Sequence, residues 1–150
     1  MSEEKLLSEP YAVTASRFEL WLRDEEGYRK TPYRDSLGKL TIGIGYNLDA
    51  GMPGDEALVL ARYRCWKLSA ALAREWPWYA GLNAPRQAAL IAMAYQMGLD
   101  GLRGFKEMLA ALATGAHETA AREALDSKWA AQTPARAQRT AEIIRTGQWP

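Results

Sequence analysis

The chain has 150 residues, 48% of them hydrophobic, which suits one domain of ordinary size with a real core. Its 19 Lys and Arg nearly cancel its 18 Asp and Glu, which excludes the basic excess of a dedicated nucleic-acid binder and the imbalance of a charged disordered tail. One cysteine, Cys65, excludes an intrachain disulfide, and one histidine, His117, leaves too few ligands for an ordinary zinc site.

Residues 1–15 read as a leader, and its start, Met1 to Pro10, carries Glu3, Glu4 and Glu9 with no basic start and no apolar run, so it does not read as a signal peptide. A helix is expected from Ser16, where Ser16 and Glu19 fit a capping box and Phe18 and Leu22 share a face. Gly27 stops it and leaves Glu26 on the last turn. A hairpin follows: a strand at 31–34, a type I turn at Asp35-Ser36-Leu37-Gly38, and a strand at 39–46. In that second strand Leu40, Ile42, Ile44 and Tyr46 make one apolar face, and the other face leaves room beside Thr41.

Residues 47–54 read as a turn-rich connector, and 55–75 as a long amphipathic helix with Leu58, Ala61, Cys65, Leu68 and Leu72 on its stripe. Cys65 there is a small core residue. A helix at 83–97, apolar nearly all round, is expected to be the buried centre of a helical lobe. Helices at 102–113 and from 117 to about 128 follow, with His117 as a solvated surface residue in an Ala- and Glu-rich stretch that holds no nucleophile motif. The last helix takes Thr133 as N-cap and Pro134 in its first turn, and stops at Gly147. The pattern is α+β, one small hairpin in a mostly helical chain. It divides into the leader at 1–15, a helix and β lobe at 16–54, a linking helix at 55–75 and a helical lobe at 76–150.

Glu26 and Asp35 are two carboxyls in contrasting surroundings. The helix dipole and the neighbouring acids Asp24 and Glu25 disfavour charge on Glu26. Asp35 heads a polar turn, where backbone N–H groups favour its ionised form. Thr41 adds a hydroxyl able to hold a water. Singly, each has a plainer reading: a surface acid, a favoured turn residue and a good strand former.

The joint pattern is more specific. Leu22-Arg23-Asp24-Glu25-Glu26-Gly27 through Tyr33-Arg34-Asp35-Ser36-Leu37-Gly38 to Thr41-Ile42-Gly43-Ile44-Gly45 closely resembles the phage-type lysozymes, the family of the T-even phage enzyme. That family spaces a Glu, eight residues, an Asp or Cys, five residues and a Thr, and Glu26, Asp35 and Thr41 fit without a gap. Ala88-Ala89-Leu90-Ile91 with Tyr95-Gln96-Met97-Gly98, then Trp129 with Gln132-Thr133-Pro134-Ala135-Arg136-Ala137, and Arg145-Thr146-Gly147-Gln148-Trp149 extend the likeness to roughly 18–149.

The resemblance implies a two-lobed lysozyme fold with a sugar cleft between the lobes. It implies a muramidase, a glycoside hydrolase that cuts the β-1,4 bond between N-acetylmuramic acid and N-acetylglucosamine in peptidoglycan with inversion, as an endolysin does. Glu26 is then the general acid, Asp35 the base or water-orienting carboxylate, and Thr41 the holder of the water. Tyr95, Gln96, Trp129 and Gln132 become cleft residues, and Arg136 a partner for Glu26. No cofactor, nucleic acid, metal or membrane insertion is expected. The chain is expected to act as a monomer, made in the host cytoplasm and reaching the wall through a separate pore-forming protein. Two departures stand out. Tyr46 replaces the histidine of the T-even enzyme, which precludes a His-centred ion pair there, and the segment 46–55 is much shorter. A binding module without chemistry, a phage tail or structural protein with a lysozyme domain, and a lytic transglycosylase are the rival readings.

Overall fold

The computed structural model describes residues 17–150. Ser16, the expected cap of the first helix, and the leader lie outside the described residues. Among the described residues the chain divides into two compact units, 17–61 and 62–150. The class is α+β as expected, with seven α-helices and one small antiparallel sheet among the described residues.

In the first unit, α1 (Arg17–Glu26) ends where Gly27 takes φ 74°, a left-handed conformation that suits glycine. The sheet has the order β1 (Arg29–Arg34), β2 (Leu40–Gly43), β3 (Tyr46–Asn47). Pro32 interrupts β1, and the register slips between Arg29 and Tyr33; an edge strand tolerates this because its outer N–H groups need no partner. The turn at residues 35–38 closes as expected, with the Gly38 N–H donating to the Asp35 carbonyl at 3.0 Å.

The expected strand 39–46 is instead two strands. Gly43 and Gly45 adopt φ of 66° and 65°, so the chain reverses at Ile44-Gly45 and returns as β3. Ile44 is therefore exposed rather than part of an apolar face. The inner face is also the other one: Thr41 is only 4% exposed, while Leu40 and Ile42 are half-buried. A short 3₁₀ turn, Leu48–Ala50, then folds back beside β2, with the Asn47 side chain accepting from the Asp49 N–H.

The long helix α2 (Gly54–Glu75) begins in the first unit and ends in the second. Its apolar stripe is buried toward the C-terminus only: Leu72 is fully buried and Cys65 and Leu68 pack on the core, whereas Leu58 is exposed. Burial raises the pKa of the Cys65 thiol, as befits a small core residue.

After a 3₁₀ turn (Pro77–Gly81), the second unit holds α3 (Ala84–Arg103), α4 (Lys106–Ala113), α5 (His117–Leu125), α6 (Lys128–Gln132) and α7 (Pro134–Thr146). The expected break at Gly98 is real, at φ 79° and ψ 167°, but the chain resumes helical turns beyond it. Leu102, expected to open the next helix, closes this one, and Gly104 and Phe105 separate it from α4. Likewise the helix expected to reach residue 128 ends at Leu125, and Ser127 caps a new one by accepting from the Ala130 N–H at 3.1 Å. Thr133 does hold the N-cap position of α7, yet its hydroxyl donates backward to the Trp129 carbonyl instead of capping.

Helix α7 packs on α3, α5 and α6, and α4 packs on α5. Leu72, Leu90, Met93, Leu102, Met108 and Ile144 are completely buried. Each such side chain contributes about 1.5–3 kcal/mol relative to exposure. The carbonyl end of α7 is held from α3. Arg86 donates to the Ile144 and Arg145 carbonyls at 2.8 and 3.1 Å, and Asn83 donates to the Gly147 carbonyl at 2.8 Å. His117 is half-buried rather than solvated, and burial, then the Arg86 charge, lowers its pKa.

Candidate active site

The three residues of the spaced triplet belong to the unit 17–61. Glu26 is the last residue of α1, and its carboxyl lies against the reversal between β2 and β3. A methyl group built on Gly45 would stand 2.8 Å from Glu26 Oε2 and 3.4 Å from its Cδ. Glycine at that position thus serves the turn and the acid together.

Asp35 lies before β2, at the opposite end of the strand from Gly45. Its Oδ1 accepts from the N–H groups of Leu37 and Lys39, both at 2.9 Å. Two such bonds fix the carboxylate in one orientation. Thr41, inside β2, donates its hydroxyl proton to the Lys39 carbonyl at 3.1 Å. That carbonyl also accepts from the Asp35 N–H at 3.0 Å. The backbone of Lys39 therefore links Asp35 and Thr41. With its proton committed, the Thr41 oxygen presents lone pairs to whatever else approaches.

The remaining candidates belong to the unit 62–150. Trp129 is 8% exposed, so it is mostly core; it meets Phe105 edge to face at 5.9 Å and donates Nε1–H to Gln96 Oε1 at 2.9 Å. Gln96 itself is exposed, so the buried indole holds an exposed amide in one orientation. Tyr95 is exposed and lines a hollow of about 240 Å³ with Arg64, Lys67, Leu68 and Ala94. Gln132 is exposed at the end of α6. Arg136 is half-buried and donates to the Ala92 carbonyl at 3.3 Å; Glu26, the partner that resemblance gives it, belongs to the other unit.

The sequence reading treated the segment 46–55 only as a shortened connector. It is tied down by Tyr46, whose hydroxyl donates to the Gly51 carbonyl at 3.0 Å, and by Asp49, whose Oδ2 accepts from the Leu40 N–H at 2.8 Å. Burial and the neighbouring Glu56 raise the pKa of Tyr46. The Asn47-x-Asp49 pattern signalled a turn, and nothing in it pointed to Leu40. An apolar hollow of about 510 Å³ among Tyr28, Ile42, Tyr46, Met52, Val59 and Leu60 also went unforeseen.

Comparison with known proteins adds sequence likeness to this geometry. A family model described as Phage lysozyme matches residues 23–142. The chain is 32% identical over 155 aligned positions to the pre-baseplate central spike protein Gp5 of Enterobacteria phage T4. That match covers 84% of this chain, which spans only 27% of the spike protein's length. It is 24% identical to probable T4-type lysozyme 2 of Dictyostelium discoideum, over 84% of this chain and 92% of that protein. A shorter match, 36% identical over 69 residues, relates it to probable T4-type lysozyme 1 of the same organism.

Proposed function

This chain belongs to the phage lysozyme family, and from that premise we propose that it is a lysozyme-like glycosidase acting on bacterial peptidoglycan. The bond cut is the β-1,4 link between N-acetylmuramic acid and N-acetylglucosamine. Glu26 protonates the leaving oxygen, Asp35 draws a proton from water, and Thr41 accepts a hydrogen bond from that water. Gln96 and Gln132 supply amides to the sugar substituents, Tyr95 supplies a ring face, and Trp129 orients Gln96. The chain needs no cofactor for these steps and works as a monomer. Its context is phage lysis of the host, with delivery to the wall through a separate pore-forming protein.

The observation that carries the reading is the Lys39 linkage. The Lys39 N–H, with that of Leu37, fixes Asp35 Oδ1, and the Lys39 carbonyl takes the Thr41 proton, which leaves the Asp35 carboxylate and the Thr41 oxygen as the acceptors that the proposed water needs. Glu26 meets the reversal at Gly45, just beyond the end of β2 that is far from Asp35. In this reading the pair is inverting, which requires carboxyls roughly 6.5–9.5 Å apart rather than the ~5–5.5 Å of a retaining pair.

Purified cell walls test the reading. Wild type should clear them, while Glu26→Gln, which keeps the size but has no proton to give, should be inactive and folded. Proton NMR of an early digest should find the α-anomer first. A β-anomer at the earliest time would make Asp35 a nucleophile, an anhydro product would make the chain a transglycosylase, and near-wild-type turnover in Glu26→Gln would remove Glu26 from the chemistry.

A further inference from the structure

The Leu40 N–H has an unusual partner. Asp35 and Lys39 face each other as the bonded pair closing β1 on β2, so the next pair, Arg34 and Leu40, is the non-bonded one. Leu40 therefore directs its N–H away from β1, toward β3. The β3 ladder pairs Thr41 with Asn47 and goes no further, because the chain turns into the 3₁₀ turn at Leu48, whose carbonyl accepts from the Gly51 N–H. Asp49 fills the vacated acceptor position with its side chain, at 2.8 Å. Its own N–H is fixed by the Asn47 side chain at 3.0 Å, which aims the carboxylate back at β2.

The peptide group between Lys39 and Leu40 is thereby held at both ends. Its N–H donates to a carboxylate, and its carbonyl accepts from the Asp35 N–H and the Thr41 hydroxyl. A charged acceptor on the N–H polarises the peptide and strengthens its carbonyl as an acceptor.

We infer that Asp49 is a positioning residue: through the Lys39–Leu40 peptide it holds Asp35 and Thr41 in the geometry that orients the attacking water. The inference rests on the glycosidase reading for what is being positioned, and on the hydrogen bonds alone for how. Asp49 touches no reacting atom. It takes over the work that a longer β3 would do with a backbone carbonyl.

The test compares wild type, Asp49→Ala and Asp49→Asn. Turnover is measured on soluble wall glycan, and amide hydrogen exchange at Asp35 and Leu40 is measured by NMR. Asp49→Ala should lower kcat on the order of tenfold, since small misplacements of reacting groups cost rate steeply, and leave KM within about twofold. Exchange at Leu40 and Asp35 should accelerate. Asp49→Asn keeps an acceptor oxygen and should recover most of the kcat and the protection. Should Asp49→Ala not fold, Asp49→Ser, whose hydroxyl is too short to span the same gap, takes its place. Wild-type kcat in the truncated variant overturns the inference. So does a loss of kcat with unchanged exchange at both amides, or an Asn variant as impaired as the Ala one. A wild-type chain that leaves the glycan intact overturns the glycosidase reading instead, and exchange at Asp35 and Leu40 still decides the positioning.

Discussion

Replacing Gly45 by alanine separates the two duties of that glycine. The backbone there has φ 65°, where a Cβ costs about 1–2 kcal/mol, offset by the roughly 0.4–1 kcal/mol that alanine recovers by narrowing the unfolded ensemble. The net loss is about 1 kcal/mol, or about 2–4 °C in Tm for a chain of this size. The new methyl would also stand 2.8 Å from Glu26 Oε2, well inside ordinary contact. A carboxylate at the end of a flexible side chain gives way more easily than backbone, so the acid retreats by about half an ångström. Misplacing a reacting group by 1 Å costs on the order of a hundredfold, so about tenfold in kcat is expected. Gly43→Ala is the matched control. Its φ is 66° and nothing lies within 4 Å of an added Cβ, so it should lose the same stability and keep kcat. Initial rates of wall hydrolysis, well below each variant's melting temperature, decide the matter. Equal kcat in the two variants would refute the argument that Gly45 makes room for the acid.

Other outcomes follow from the second unit. Arg86→Ala removes two hydrogen bonds from the carbonyl end of α7 and should destabilise the protein by about 2 kcal/mol in urea unfolding. Leu72→Ala empties a fully buried site and should cost about 2–5 kcal/mol. The folded state lowers the pKa of His117, so the unfolded chain binds the extra proton first. Its contribution is complete above the unfolded value of about 6.5 and is lost as pH falls toward the folded one. Thermal melts between pH 7 and 5 should therefore fall less steeply for His117→Gln than for wild type. Trp129→Phe should release Gln96 from its fixed orientation and raise KM for wall glycan severalfold, read from initial rates over a range of glycan concentrations.

The sequence by itself determined the α+β class, the hairpin turn, several helix ends and the spacing of the candidate residues. Short-range chemistry writes these directly. Gly27 and Gly147 stop helices because they adopt positive φ, and Asp35 with Gly38 closes its turn through a bond three residues long. The spacing of Glu26, Asp35 and Thr41 was legible for the same reason: all three lie within one stretch of sixteen residues.

What only the tertiary structure decided were matters of facing and partnership. Alternation in residues 39–46 identified two faces without saying which is inner, and burial chose the one with Thr41. Gly43 and Gly45 fit an irregular strand as well as a reversal, and the return of β3 beside β2 settled it. Ser127 and Gly104 divide segments whose apolar pattern runs on, because helix ends are set by where neighbouring helices pack. Asp49 and Leu40 are nine residues apart, and Arg86 and Ile144 fifty-eight. Such bonds join a side chain to a backbone group, and every residue offers a backbone carbonyl and all but proline an N–H, so no residue type marks the partner in advance.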